Sequence, residues 1–508
     1  MRITYILPLL LITIALSITS CRKDFSTIPS FGALEFSKDT VFLDTVFTNI
    51  GSATYNLKVY NRGNDDITIP SIALENGNGS NYRLNVDGIP GKTFENIDIL
   101  AKDSIFIFIE TTIDVTTVTN PIYTDRILFD NGLNEQDVDL VTLVQDANFI
   151  FPGRDPITLE VDALTLDGQP TTIQGRFLSD AELNFNNSKP IVIYGYAAVA
   201  ATKTLTIDAG TKIHFHEDSG LIIDNGATLK VNGTLSEKVV FEGDRLENSF
   251  SNIPGQWGII WMREGSEDNE INHAVIKNGV AGLVVDGIDY GNPTPTLTIK
   301  NTEIYNHSNF GVLGRETNIT TENVVIGSAG EASFAGLLGG TYNFTHSTFA
   351  NYWSNGIRTL PTVILNNYIV STDANGQDVT VTNPNLTTIK INNSIIDGNN
   401  NVDFIVDFFD ASLFDLQVRN TLIKFNDLNN DFAGVAELDF TNASMYENII
   451  LNGNPHFRNA FGNDFIIGQD SDAIGFGNTI GANQVPIDIL EVVRTMNPDS
   501  GAYQHINF

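Results

Sequence analysis

Two short stretches of this chain carry side chains suited to chemistry. His214-Phe215-His216 is followed by Glu217 and Asp218. Alternate residues of a β-strand share a face, so both imidazoles would stand opposite Phe215. Two histidines with a carboxylate suit a transition metal, but the spacing fixes no third ligand. The competing reading is an exposed polar face beside a buried phenylalanine. Asp397-Gly-Asn399-Asn-Asn401-Val-Asp403 sets oxygen-bearing side chains at alternate positions, as at the start of a calcium loop. A hard cation takes roughly six to eight oxygens. No Glu closes the loop, so Asp397, Asn399, Asn401 and Asp403 read either as ligands of a structural calcium or as a solvated Asn/Asp turn. The sequence calls for no other cofactor.

Trp257, Trp261 and Trp353 fall near turns. Their rings could stack on a glycan, and packing in the core is the competing use. Cleaving a polysaccharide needs a base and a charge-stabilising group within reach of one sugar. Lys277, Lys300 and Arg315 find no acid at an equivalent offset in the neighbouring repeats, and the pair Asp286 and Asp289 has no base nearby. The sequence marks no catalytic residue.

What must position these side chains is a recurring pattern, Asn/His-x-x-Ile/Phe followed by a turn. It starts at His273, Asn301, Asn323, His346, Asn366, Asn393 and Asn420 and degenerates at Glu447. A repeat of 20 to 28 residues, rich in Ile, Val, Thr, Asn and Gly, signals a β-solenoid. About twelve rungs at about 4.8 Å each would make a rod near 60 Å. An amide both donates and accepts, so Asn301, Asn323, Asn366, Asn393 and Asn420 are expected to stack as a self-satisfying ladder. Upstream, seven period-two runs between Thr40 and Val144 alternate with turn signals and read as a β-sandwich.

Leu205 to Phe215 and Leu221 to Thr234 share an aliphatic-x-aliphatic-x-x-Gly-Thr/Ala pattern, which returns around Trp257 and Ile271. It resembles the right-handed parallel β-helix proteins, the pectate-lyase-like fold. Thr40 to Asn61 resembles the immunoglobulin-like modules of bacterial surface proteins. The resemblances imply an all-β chain: an immunoglobulin-like β-sandwich over 33–148, a junction and cap over 149–190, a right-handed parallel β-helix over 191–485 and a closing segment over 486–508. This fold hosts many functions and implies no single chemistry.

Residues 1–20 read as a signal peptide, with Arg2 before an apolar run too short to span a membrane. Ile18-Thr19-Ser20-Cys21 resembles the bacterial lipobox, and Cys21 is the only cysteine. The resemblance implies lipidation of Cys21, a tether over 21–32 and anchorage in the outer membrane. Lys23 and Asp24 resemble part of the Bacteroidetes surface-export signal. With one cysteine there is no disulfide, so packing alone must stabilise the exported chain. A net charge of −33 opposes nucleic-acid binding. The expected partners are the membrane, through the lipid, and a glycan or surface protein. The leading expectation is a non-catalytic, lipid-anchored binding or display scaffold; the alternative is a polysaccharide lyase or glycoside hydrolase of the same fold.

Overall fold

The computed structural model describes residues 26–114, 121–287, 294–372, 376–383, 385–409 and 413–508. The signal segment and Cys21 lie outside the described residues. The chain is all-β and divides after Asp146 into two compact units.

The first unit has one sheet of six strands and one of five. Period-two alternation makes each sheet apolar on one side. Along Ser104–Thr111, Ile105, Ile107 and Ile109 are buried while Phe106 and Phe108 are exposed. Buried residues of both sheets, among them Val41, Ile69, Leu57 and Ile107, join one core. Thr93–Ile99 adds a strand that the alternation alone does not reveal, because Asn96 takes left-handed backbone (φ 55°) and shifts the pattern.

The second unit is built on one 27-stranded sheet in which each strand generally pairs with one three places ahead. Thr204–Asp208, Lys212–Phe215 and Gly220–Ile223 form one such rung. They pair in parallel with Thr228–Asn232, Val239–Gly243 and Ile260–Met262. Inward positions stack like on like: Leu205 on Leu229, Ile207 on Val231, Ile213 on Phe241. All belong to one continuous core that no single rung could bury alone. The paired register runs from Asn148–Ile150 to Tyr446–Leu451. Its first parallel strands are Asn148–Ile150, the end of Gln169–Phe177 and Asn184–Phe185, and Ala163–Leu166 adds an antiparallel hairpin to the second of these. From Phe457 onward the chain folds back along the outside, where Phe465, Ile489, Ala502 and Tyr503 bury Val325 and Ala350.

The recurring Asn/His is a corner. His273, Asn301, Asn323, His346, Asn393, Asn420 and Asn448 all have φ between 48° and 55°. Left-handed backbone penalises most side chains and is eased for Asn and other short polar ones, so the pattern marks where the chain turns between strands. Asn366 is not a member of the ladder. It ends strand Val363–Asn366, which pairs elsewhere, and it begins an excursion through the hairpin Tyr368–Thr372 and Asp378–Thr382. In register, the residue before His346 (Thr345) pairs directly with the residue before Asn393 (Asn392). The ladder is also only partly self-satisfied. Asn323 donates to Asn301 at 3.0 Å, and Asn393 to His346 Nε2 at 2.9 Å. Asn478 bridges the remaining gap: its backbone N–H donates to Asn393 Oδ1 at 2.8 Å and its Nδ2 to Asn420 Oδ1 at 2.9 Å. The buried Arg494 guanidinium donates to Asn323 Oδ1 at 2.9 Å and to the carbonyls of Gly501 and Ala502. The returning segment thus docks on the corner column.

Candidate functional site

The acid-and-amide loop closes on a side chain. Asp403, fully buried, pairs with the equally buried Arg358 at 2.8 Å. Asn399 Oδ1 accepts from Arg358 at 2.9 Å, and Asn399 Nδ2 donates to the Trp353 carbonyl. Asp403 Oδ1 also accepts from the Thr362 backbone and hydroxyl. Asn401 contributes its backbone carbonyl to Asn426. The positive charge facing this loop is a guanidinium, and among the described residues no group of three His, Cys, Asp or Glu is placed to hold a metal. Asp397 turns the other way and accepts from Tyr352 Oη at 2.6 Å. Burial pushes its carboxyl up to about 6, against the pull of Tyr352 and Lys424, with Asp403 adding to the rise. Burial likewise raises Asp403, opposed by Arg358.

The three tryptophans part company. Trp257 is 1% exposed, stacks on Phe215 at 4.5 Å and donates to the Lys277 carbonyl. It is core and cannot touch a glycan. Trp261 packs against Leu164, Leu166, Ala198 and Ile222, and its Nε1 donates to Asp286 at 2.8 Å. Trp353 is 8% exposed and, with Tyr352 and Phe461, lines a small cavity.

Neither histidine is poised for a metal. Phe215 lies in the core, as its alternation requires. His214 is buried with Nδ1 3.1 Å from the Gly243 carbonyl, and burial lowers its pKa. His216 stacks on Tyr194 and meets Asp244 at 2.7 Å, which raises its pKa.

Asp286 does have a base nearby, contrary to expectation, and Lys277, Lys300 and Arg315 each meet an acid; Asp289 lies outside the described residues. Lys277 pairs with Glu242 at 3.0 Å, Lys300 with Glu322 at 3.2 Å and Arg315 with Asp286 at 2.7 Å. Each acid sits on an adjacent rung, two on the preceding and one on the following. Rungs differ in length, so no constant sequence offset exposes these pairs.

One groove is a feature that the sequence reading missed. Two polar columns run up one outer wall. Thr320, Asn343, Lys390 and Gln417 are in register on successive rungs, and beside them stand Glu322, Thr345, Asn392, Arg419 and Glu447. They alternate with inward Ile319, Tyr342, Ile389 and Leu416. Asn478 and the short helix Thr479–Gln484 close over this wall to leave a groove of ≈ 680 Å³. Arg419 and Glu447 pair at 3.2 Å. Among the described residues neither Asn343 nor Lys390 has a side-chain partner. The signal was present as polar residues alternating with apolar ones, but their convergence depends on the returning segment.

No family model matches the chain, and no curated protein matches it. Among solved structures, a family 123 glycoside hydrolase from Clostridium perfringens is similar at 11% identity over 22% of this chain and 27% of that one, with a TM-score of 0.17. The chain thus spans about a quarter of that structure's length. The catalytic unit of a thermostable GH87 α-1,3-glucanase from Streptomyces thermodiastaticus strain HF3-3 is similar at 10% identity over 72% of this chain and 78% of that one, with a TM-score of 0.21. Likeness at these scores carries no argument about activity.

Proposed function

We propose that this chain is a lipid-anchored surface protein whose longer unit, a right-handed parallel β-helix preceded by an immunoglobulin-like sandwich, is a non-catalytic scaffold that binds a glycan along its polar wall. The observation that carries the reading is the ≈ 680 Å³ groove. Its volume is that of a ligand site. Its floor offers one polar side chain per rung, with rungs about 4.8 Å apart, a spacing on the scale of one sugar unit. Thr320, Asn343, Lys390 and Gln417 supply hydroxyl, amide and ammonium groups that bond sugar hydroxyls. A binding role rather than turnover is supported by the pairing of the wall's acids: Glu322 is held by Lys300 and Glu447 by Arg419. The membrane half of the reading rests on Cys21 and the segment before it.

The test is a glycan-array screen of the soluble protein, repeated with Asn343→Ala/Lys390→Ala. Saturable binding to one class of polymer, weakened at least tenfold in the variant, is expected. New reducing ends or unsaturated products from any bound polymer would replace this reading with that of a hydrolase or lyase.

A further inference from the structure

We infer that the longer unit carries a second binding site, separate from the groove, that takes a single neutral pyranose such as the end of a glycan chain. The site is the cavity of ≈ 220 Å³ between Asn306 and Ser328, the loop Tyr352–Asn355, Asn252 and the tip Phe461–Asn463 of the returning segment. That volume holds about seven waters at liquid density, the scale of one hexose.

Its chemistry is specific in what it contains and in what it lacks. Among the described residues no charged side chain lines it; its polar groups are asparagines and serines, Asn252, Asn306, Asn355, Asn463, Ser328 and Ser354. Amides and hydroxyls bond sugar hydroxyls in both senses, donating and accepting. Asn306 spends its Nδ2 on Asn278 at 2.6 Å, which leaves its oxygen for a ligand. The ring surfaces come from Tyr352, Trp353 and Phe461. Phe461 is 66% exposed at the rim and packs on Tyr352 at 5.6 Å. Apolar C–H faces of a pyranose bind such rings, and an ion would lose hydration here without a counter-charge.

The framework is preorganised. Tyr352 is fixed by its bond to Asp397 and by Phe457 and Phe465 on its flank. The Trp353 carbonyl is held by Asn399. Asn463 adopts left-handed backbone (φ 60°), which turns the tip at that point.

The test is saturation-transfer NMR of the purified protein with glucose, galactose, mannose and N-acetylglucosamine, with glucuronate and glucosamine as charged counterparts. Transfer to at least one neutral sugar, with none to the charged pair, is expected. Phe461→Ala should reduce it at least fivefold with an unchanged melting curve, and Asn355→Ala, which removes an exposed lining amide, should do the same. No transfer to any neutral sugar, or transfer that both variants leave intact, would overturn the inference. Neither result bears on the groove, which is read with polymers absent from this assay.

Discussion

Replacing Asp397 by Asn tests the buried acid cluster most directly. The carboxyl sits under Tyr352 at 2.6 Å, with Lys424 attracting it and Asp403 repelling it. Burial dominates and raises its pKa to about 6. In the unfolded chain an Asp titrates near about 3.9. Between those two values the folded protein holds a proton that the unfolded chain has lost, so stability falls as pH rises across the window and stays lower above it. A shift of about two pH units corresponds to on the order of 3 kcal/mol. Asparagine keeps an oxygen for the Tyr352 hydroxyl and removes the charge. The advantage of Asp397→Asn over the parent should therefore grow by on the order of 3 kcal/mol between pH 4 and pH 7.5. Urea unfolding followed by tryptophan fluorescence reads this, because all three tryptophans lie in the longer unit. A pH-independent difference would refute the reasoning. So would a variant that loses stability at pH 7.5 and that added calcium no longer stabilises, since a bound cation would favour the ionised acid.

On the lipid-anchor reading, Cys21→Ser should move the protein from the membrane fraction to the soluble one; retention of the mutant in washed membranes would remove that reading. Asn393→Leu should lower stability by roughly 2–4 kcal/mol, combining lost bonds to His346 and Asn478 with strain at φ 50°. Asn366→Leu, which loses one bond from the Leu338 N–H and carries no such strain, should cost clearly less in the same melting experiment. Arg494→Ala strips donors from Asn323, Gly501 and Ala502 and should cost about 2 kcal/mol or more; faster proteolysis within residues 452–508, ahead of any cut in the rungs, is the expected sign.

The rung pattern was legible because two local rules repeat. Inward positions must be apolar, and the corner must tolerate left-handed backbone, which selects Asn. Those rules do not record how long each rung is. The stretch after Asn366 mimics the period, so only strand pairing shows it to be an excursion. The same blindness hid the ion pairs, since Glu242, Glu322 and Asp286 meet their bases at unequal separations.

By itself, then, the sequence determined an all-β chain, a repeated Asn or His beside a turn and a strongly acidic composition, because each is written in local spacing or in residue counts. Tertiary structure alone decided which polar residues converge. Trp257 and Trp353 look alike in sequence, yet one is sealed in the core and the other borders a cavity. An alternation of acids and amides that suits calcium meets Arg358 instead, a cation brought close by the fold rather than by sequence spacing. The groove exists because Asn478 and Arg494 return to the corner column, bonding residues far away in the chain. Such contacts follow from where the rungs end and which face remains uncovered, and neither is a property of any local stretch.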